Sequence, residues 1–352
     1  MNRRAYIDWL RGLAVVIMIE AHTIDAWTLD EKAVRSLAQY QWLTFLAGWA
    51  APLFLWLAGV SVTLAMASHL RKGKSQAEAS WLVQKRGWEV FAMAFLFRFQ
   101  SYVLSPTSPW WSMLKVDILN IMGLAMVGAA WCSAKGKTAR EQSMWLLGPT
   151  AVILLIGQFT AGWSWPSELG GFEGYIRTIG KTGNFMLFPW AGFVFLGAWI
   201  GRLLLVNRDA AADRQFHLRL FGAGAALALG AFGGSHLPAL TPHSIFWYTS
   251  TSWFLMRFGV MMMLLALAWL WMKRPTANHW SPMLVFGQTS LFVYWVHVEI
   301  VYGFPSIVLR HTLSIREALV AYGLFTLLML ALAILWQRRE KGPLLPAALR
   351  VQ

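Results

Sequence analysis

The first apolar segment of the chain contains ionisable residues whose spacing suits acid–base chemistry. In "YIDWLRGLAVVIMIEAHTIDAWT", Arg11 and His22 are eleven positions apart. A helix would bring them to within about 20° of the same face and separate them by ~16 Å along its axis. Asp25 lies one turn beyond His22, where its carboxylate could contact the imidazole, fix its tautomer and raise its basicity. The same short spacing lets Asp8 pair with Arg11.

Other ionisable residues lie at a comparable depth in later apolar segments. His297 in "FVYWVHVEIVYG" is near the end of its segment, and Arg257 is near the start of the segment before it. Because a charge in a bilayer is costly unless it pairs or lines a cavity, such residues are functional candidates. We expect them to form one polar layer with His22 below the outer surface. A purely structural alternative is that they only satisfy one another as buried pairs. Glu20 points to the opposite side of its helix and has no assigned role.

The composition indicates which elements must position these residues. The chain has 352 residues, of which 57% are hydrophobic and 13% are charged, and it includes 22 Trp. A soluble domain would have about 25% charged residues. Repeated apolar runs of about 20 residues, enough to cross ~30 Å of hydrocarbon, indicate an all-α, polytopic membrane helical bundle. We predict a single integral-membrane domain over residues 1–352, with no separate soluble domain.

The apolar runs predict about ten transmembrane helices. They cover residues 6–27, 43–68, 87–105, 115–134, 143–161, 185–206, 218–236, 250–272, 281–302 and 314–337. With the amino terminus inside, the inner segments hold 20 of the 30 Lys and Arg residues, and the outer loops hold seven. This asymmetry follows the positive-inside rule and predicts that both termini are cytoplasmic.

The charge and the cysteine content exclude other classes of protein. The net charge of +14 does not indicate nucleic-acid binding, because the basic residues fall in short loops between apolar segments. The single cysteine, Cys132, excludes a disulfide framework and a cysteine-ligated zinc site. We predict that the protein binds no metal and no nucleic acid. We expect it to be embedded in the lipid bilayer. The oligomeric state is left open.

Four stretches of the chain resemble membrane acyltransferases. "DWLRGLAVVIMIEAH" contains Arg-x10-His, with Asp three positions before the Arg and Gly directly after it, and resembles the first-helix motif of acyltransferase-3 proteins. Its "D-x-x-R-G" pattern also resembles the opening of the heparan-α-glucosaminide N-acetyltransferase-like family. Three further stretches are similar to the latter family. They are "PLFLWLAGVSVTLA" (52–65), "FPWAGFVFLGAWIGRLL" (188–204) and "GQTSLFVYWVHVEIVYG" (287–303).

The resemblance implies acyl transfer across a bacterial cytoplasmic (inner) membrane. The expected donor is a cytoplasmic acyl-CoA, with acetyl-CoA preferred, and the expected acceptor is a hydroxyl or amine of a sugar or related molecule at the outer face. In this resemblance Arg11 takes the position of the motif arginine, and His22 takes that of the essential histidine. A basic inner face would suit the anionic head of coenzyme A. The residues predicted to hold the donor are Asp8, Arg11, Arg71, Lys72, Arg86 and Arg202.

The expected chemistry of such a transferase centres on His22. Oriented by Asp25, it would act as a general base on the acceptor, which then attacks the thioester. Arg257 or another donor of the outer layer, to which His297 belongs, would stabilise the developing oxyanion. Alternatively, His22 takes the acyl group covalently and passes it on. The sequence leaves both routes open.

A carrier of protons or small solutes is the alternative function. In that interpretation His22, Asp25, His297 and Glu299 relay protons, and discontinuous helices surround a site near the midplane. The polar groups instead divide into an inner basic end and an outer layer that contains the histidines. Because this asymmetry suits a donor and an acceptor on opposite sides, we prefer the acyltransferase.

Overall fold

The computed structural model describes residues 4–104, 110–160, 173–176, 185–206, 209–238, 246, 250–274 and 280–341. Helices dominate this part of the chain, and it contains no strand beyond one isolated bridge. The helices are α1 Ala5–Trp27, α2 Lys32–Arg35, α3 Ala38–Ala47, α4 Ala50–Arg71, α5 Gln76–Leu104, α6 Ile118–Ser133, α7 Ala139–Thr160, α8 Glu173–Ile176, α9 Leu187–Leu205, α10 Ala210–Gly234, α11 Thr251–Trp271, α12 Pro282–Gln288, α13 Ser290–Tyr302 and α14 Ile315–Lys341. The predicted all-α class is confirmed.

The helices agree with the predicted membrane spans. Within the described residues, seven helical segments are long and apolar enough to cross a membrane, and eight if α12 and α13 form one bent span. The predicted spans 6–27 and 87–105 correspond to α1 and α5, which carry charged residues within their apolar runs and are not among the seven. The polytopic architecture is therefore confirmed. The cytoplasmic position of both termini stays a prediction.

The predicted span 281–302 is interrupted in its first half. Its two parts, α12 and α13, meet at Thr289 with a bend of 89°. Thr289 has the non-helical backbone angles φ −111° and ψ 19°, and its hydroxyl donates to the carbonyl oxygen of Val285 at 2.9 Å. Bonds of this kind from Thr to the preceding turn bend helices. The prediction of a continuous helix is wrong here because hydropathy reports apolar content and not backbone conformation.

The described backbone groups into two compact units. The first comprises Met1–Ala51 together with Leu267–Gln352, and the second comprises Pro52–Ala266. In the second unit, aromatic rings join α9 to α11, with Phe193 and Phe254 stacked at a centroid distance of 4.2 Å. Both rings are fully buried, so they form part of an apolar core of the kind expected for packed membrane helices.

In the first unit, α1 and α12 approach each other until their backbones touch. A Cβ atom on Gly12 would overlap the carbonyl oxygen of Met283. A Cβ atom on Gly287 would likewise overlap the carbonyl oxygen of Asp8. Only glycine permits this approach, because any other residue carries that Cβ. The glycine after the arginine of the first-helix motif therefore has a packing role.

The carboxyl end of α1 is tied to the segment between α13 and α14, residues 303–314, which we call the strap. The strap begins with a 3₁₀ helix, Phe304–Leu309. The backbone N–H of Leu313 donates to the carbonyl oxygen of Trp27 at 3.0 Å, and the N–H of Leu29 donates to that of Leu313 at 2.9 Å. These main-chain bonds fix the strap beside the last turn of α1.

A small apolar core lies next to this connection. It consists of Ile24 from α1, Tyr40 from α3 and Ala318 from α14, all buried. Leu43 and Leu313 pack against it and are partly buried. Three helices and the strap therefore meet at the carboxyl end of α1.

Candidate active site

Arg11 and His22 both face the broken span formed by α12 and α13. Nη1 of Arg11 lies 3.4 Å from the carbonyl oxygen of Gly287 in α12. Nδ1 of His22 lies 2.8 Å from Nε2 of His297 in α13. The two side chains of α1 therefore lie on one face of the helix, as their spacing predicts. The structure also brings His22 and His297 into direct contact, within the layer in which the sequence placed both.

Hydrogen bonds determine the tautomers of the two histidines. Nδ1 of His297 lies 2.7 Å from the carbonyl oxygen of Val293. Since a carbonyl oxygen only accepts, this Nδ1 carries the proton, and Nε2 of neutral His297 is an acceptor. Nδ1 of His22 is then the donor between the rings, so the lone pair of neutral His22 lies on Nε2. The ring planes differ by only 5°, which suits a bond in the plane of both rings.

The two histidines differ in their exposure to solvent. His297 is fully buried at 0% exposure, with the ring of Tyr294 edge-on at a centroid distance of 5.9 Å. His22 is partly exposed. His297 is thus a fixed acceptor, and His22 is the member of the pair that a substrate can reach.

Tyr302 connects the histidine pair to Asp25. Its ring meets that of His22 edge-on at a centroid distance of 5.5 Å, and its hydroxyl donates to Oδ2 of Asp25 at 3.2 Å. Asp25 is exposed. The predicted orientation of His22 by Asp25 stays a prediction, and Tyr302 offers a route for it. No pattern in the sequence selects Tyr302, because aromatic residues at span ends are typical of the interfacial belt.

Arg257 belongs to α11 in the second unit. Only 5% of its surface is exposed, and its guanidinium lies over the ring of Trp253 at 4.7 Å from the centroid. A buried cation above an aromatic face is well held by the ring quadrupole. Its predicted action on a thioester stays a prediction.

Arg11 and Asp8 form the ion pair that the sequence predicts. Nη1 of Arg11 lies 3.1 Å from Oδ1 of Asp8, which is 4% exposed as a residue. The same guanidinium approaches Gly287, at the carboxyl end of α12. A cation near that end offsets the partial negative charge of the helix terminus. Arg11 therefore stabilises the carboxyl end of α12. Its predicted contact with the acyl donor stays a prediction.

The other residues predicted to bind the donor lie in the second unit. Arg71 ends α4 and is exposed, as is Lys72. Arg86 pairs with Glu89 at 2.9 Å on the surface. Arg202, near the carboxyl end of α9, is different: its Nη1 is buried and has no hydrogen-bond partner among the described residues. An unsatisfied guanidinium donor of this kind fits an anionic ligand.

Glu20 occupies the opposite side of α1, as its position in the sequence predicts. It is 3% exposed, and neither carboxylate oxygen has a hydrogen-bond partner within the part of the chain that the structure describes. It interacts electrostatically with Tyr322 of α14. Glu20 therefore takes no part in the contact between the histidines.

Comparison with known proteins assigns the family. The catalytic-domain model of heparan-alpha-glucosaminide N-acetyltransferase matches residues 3–236 of the 352-residue chain. A search among curated proteins finds no match. The matched region contains Arg11 and His22, whereas Arg257 and His297 follow it. Because the match covers more than half of its length, the chain belongs to the heparan-alpha-glucosaminide N-acetyltransferase family, and with its polytopic helical architecture it is a membrane acetyltransferase.

Proposed function

We propose that the protein transfers an acetyl group from cytoplasmic acetyl-CoA to a hydroxyl or amine of a sugar-like acceptor at the outer face of a bacterial cytoplasmic membrane. The observation that carries this proposal is the chain of hydrogen bonds from the Val293 carbonyl through His297 to His22. It directs the lone pair of neutral His22 to Nε2, which gives one defined atom for proton or acyl transfer.

In the first route, His22 is a general base. Nε2 takes the proton of the acceptor as the acceptor oxygen or nitrogen forms its bond to the thioester carbonyl carbon. The positive charge that develops on His22 is stabilised by its Nδ1–H bond to Nε2 of His297. When the carbon–sulfur bond breaks, the same proton passes from His22 to the departing sulfur, so the enzyme returns to its starting state.

In the second route, His22 is the nucleophile. Nε2 attacks the thioester carbonyl carbon, the carbon–sulfur bond breaks, and an acetyl-imidazole forms on His22. The hydrogen bond from Nδ1–H of His22 to Nε2 of His297 stabilises the positive charge of the acetylated ring. In a second step the acceptor attacks the acetyl carbon, the bond from that carbon to Nε2 breaks, and the proton of the acceptor passes through the freed Nε2 to the coenzyme A thiolate. Rapid acid quenching with labelled acetyl-CoA separates the routes, because only this one leaves label on the protein.

The donor end of the proposal is supported by Arg202. Its buried Nη1 lacks a partner among the described residues, and a phosphate of coenzyme A is an anion of suitable chemistry. Exposed Arg71 and Lys72 are available for further phosphate contacts. Bound acetyl-CoA supplies the activated acetyl thioester. Arg86 is a weaker candidate because Glu89 already satisfies its charge.

The carrier remains the second candidate because of the broken span. A discontinuous helix is typical of transporters, and α12 and α13 are bent by 89°. Glu299 adds a buried Oε1 without a hydrogen-bond partner among the described residues. A carrier would move protons or solute in proteoliposomes that contain no acetyl-CoA. An acetyltransferase would show no such flux.

Replacement of His22 tests the proposed function directly. We expect the purified protein in lipid nanodiscs to release coenzyme A from acetyl-CoA only when an amino sugar is present. His22→Gln should lower kcat by at least about 10²-fold, the usual contribution of a general base. His236→Gln replaces an exposed histidine and should leave kcat unchanged. Full turnover by folded His22→Gln protein would exclude both routes.

A further inference from the structure

The hydrogen bond of Asp25 goes to Tyr302, although Asp25 lies one turn beyond His22 on α1. A carboxylate usually orients a catalytic imidazole by accepting from its Nδ1–H. In this protein the tautomers of the histidine pair make that N–H the donor to Nε2 of His297, with 2.8 Å between the nitrogens. Asp25 instead accepts from the hydroxyl of Tyr302 at 3.2 Å. Its hydrogen bond can therefore act on His22 through Tyr302.

The ring of His22 needs a second contact to have a fixed direction. The bond to His297 fixes the position of Nδ1, but the ring can still tilt about this contact and move Nε2. The ring of Tyr302 meets the ring of His22 edge-on, with a centroid distance of 5.5 Å and an angle of 65° between the planes. Aromatic contacts of this geometry are attractive and directional. The contact with Tyr302 thus restricts the tilt that the hydrogen bond alone permits.

Tyr302 is the last residue of α13, and the residues that follow hold it in place. A Cβ atom on Gly303 would overlap the carbonyl oxygen of Glu299, so the backbone packs tightly directly after Tyr302. The guanidinium of Arg310 in the strap donates to the carbonyl oxygen of Tyr302. The strap is itself bonded to the end of α1 through its main chain. The backbone that carries Tyr302 is thus tied to the same end of α1 that carries His22.

We propose that Tyr302 is a positioning residue for His22: Asp25 fixes its hydroxyl, and its ring holds the imidazole so that Nε2 points to the acceptor. This inference rests on the proposed function, in which Nε2 of His22 takes the proton or the acetyl group. Asp25 then acts indirectly, through the hydroxyl of Tyr302. Because Asp25 is exposed, water competes for its hydrogen bond, and the ring contact contributes more than the hydroxyl does.

Removal of the ring tests the aromatic contact. We expect Tyr302→Leu in lipid nanodiscs to lower kcat by about 10²-fold, because a small misplacement of a reacting group has an effect of that size. The KM values for acetyl-CoA and for the amino sugar should stay unchanged, since Tyr302 acts through His22. Tyr102→Leu is the matched control, because Tyr102 is partly buried and lies two residues before the end of α5; its kcat should equal that of the wild type. An unchanged kcat in folded Tyr302→Leu, or a raised KM for the acceptor as its sole effect, would overturn the proposal.

A double-mutant cycle tests the link to Asp25. Tyr302→Phe keeps the ring and removes the hydroxyl, whereas Asp25→Ala removes the accepting oxygen. Each should lower kcat by about threefold to tenfold, the effect of one lost hydrogen bond. The double variant should lose no more than the larger single loss, because both changes remove the same bond. Asp25→Asn keeps an oxygen that can accept and should lose less than Asp25→Ala. Losses that multiply in the double variant would refute the indirect action of Asp25.

The mobility of the His22 ring provides a measurement that does not depend on turnover. Solid-state NMR on histidine-labelled protein gives an order parameter for the ring C–H bonds, and His22→Gln identifies the His22 signal by its loss. The order parameter should fall in Tyr302→Leu and keep the wild-type value in Tyr102→Leu. A wild-type value in Tyr302→Leu would refute the positioning role even if acetyl transfer is observed. A mobile ring in Tyr302→Leu, together with a wild-type protein that transfers no acetyl group, would refute the proposed function while the positioning of His22 stands.

Discussion

Two hydrogen-bonded histidines can in principle exchange a proton in either direction, but the Val293 carbonyl removes this freedom here. It holds the proton on Nδ1 of His297, so the ring offers only Nε2 to His22. A buried, neutral imidazole then acts as a fixed acceptor in the way that a carboxylate does in catalytic triads. It avoids placing a second charge inside the bilayer, where charges are costly.

The effect of this acceptor on His22 can be measured by replacing His297. His297→Gln keeps an amide oxygen that can accept from Nδ1 of His22, whereas His297→Leu offers none. We expect kcat to fall by about 10²-fold in His297→Leu and by no more than about tenfold in His297→Gln. The KM for acetyl-CoA should stay unchanged in both, because His297 only positions His22. Equal losses in the two variants would show that the accepting atom is unimportant.

The sequence could predict some of these residues and not others. Positions within helices were enough to place His22 and His297 in one layer and Glu20 on the opposite side of α1. The tautomers depend on the backbone carbonyl of Val293. Every residue has such a carbonyl, so the sequence cannot predict which one accepts from His297. The role of Tyr302 could not be predicted either, since its hydrogen bond to Asp25 depends on the conformation of the chain at the end of α13.

Among the elements, α12 decides the geometry of the site. It has only seven residues, and its backbone contact with α1 at Gly12 and Gly287 fixes it in place. Arg11 stabilises its carboxyl end. The bend at Thr289 then directs α13 so that His297 reaches His22. Arg11 and Gly12 thus support His22, the residue that we propose as catalytic, from a distance of about ten residues along α1.

A pair of glycine substitutions tests the contact between α1 and α12. Gly12→Ala introduces a Cβ that meets backbone, which cannot move aside as a side chain does. We expect it to destabilise the fold by about 3 kcal/mol or more and to lower both Tm and turnover. Gly323→Ala is the matched control, because a Cβ there meets nothing within 4 Å. It should keep or raise Tm, since alanine favours a helix over glycine by about 0.5–1 kcal/mol. A Tm for Gly12→Ala equal to that of the control would contradict the contact.

For the whole molecule, hydropathy predicted the membrane class and the position of most helices. It did so because uncharged apolar runs of about 20 residues are typical of membrane-spanning helices and rare in soluble domains. It could not predict that the chain forms two units, with its first 51 residues grouped with those from Leu267 onward. That grouping depends on contacts between helices, such as the one between Gly12 and Met283, which single-segment patterns do not encode.

The predicted orientation can be tested with single cysteines. The native Cys132 is buried and can be replaced by Ser to give a cysteine-free background. Lys74→Cys and Glu31→Cys then place thiols at exposed positions that are predicted to be inside and outside, respectively. In intact cells, an impermeant maleimide should label position 31 and reach position 74 only after permeabilisation. Labelling of position 74 in intact cells, with position 31 labelled only after permeabilisation, would show that the predicted donor and acceptor sides are reversed.

The main-chain bonds between the end of α1 and the strap have a consequence for the order of synthesis. They join residues 26–29 to residues 311–313, so they form only after most of the chain has left the ribosome. During this interval Asp8 and Arg11 can form their ion pair within the first turns of α1. The hydrogen bond between His22 and His297 can form only after α13 has been synthesised. The carboxyl end of α1 therefore lacks these contacts until the last spans enter the membrane. A chain truncated before α12 should be a preferred substrate for membrane quality-control proteases.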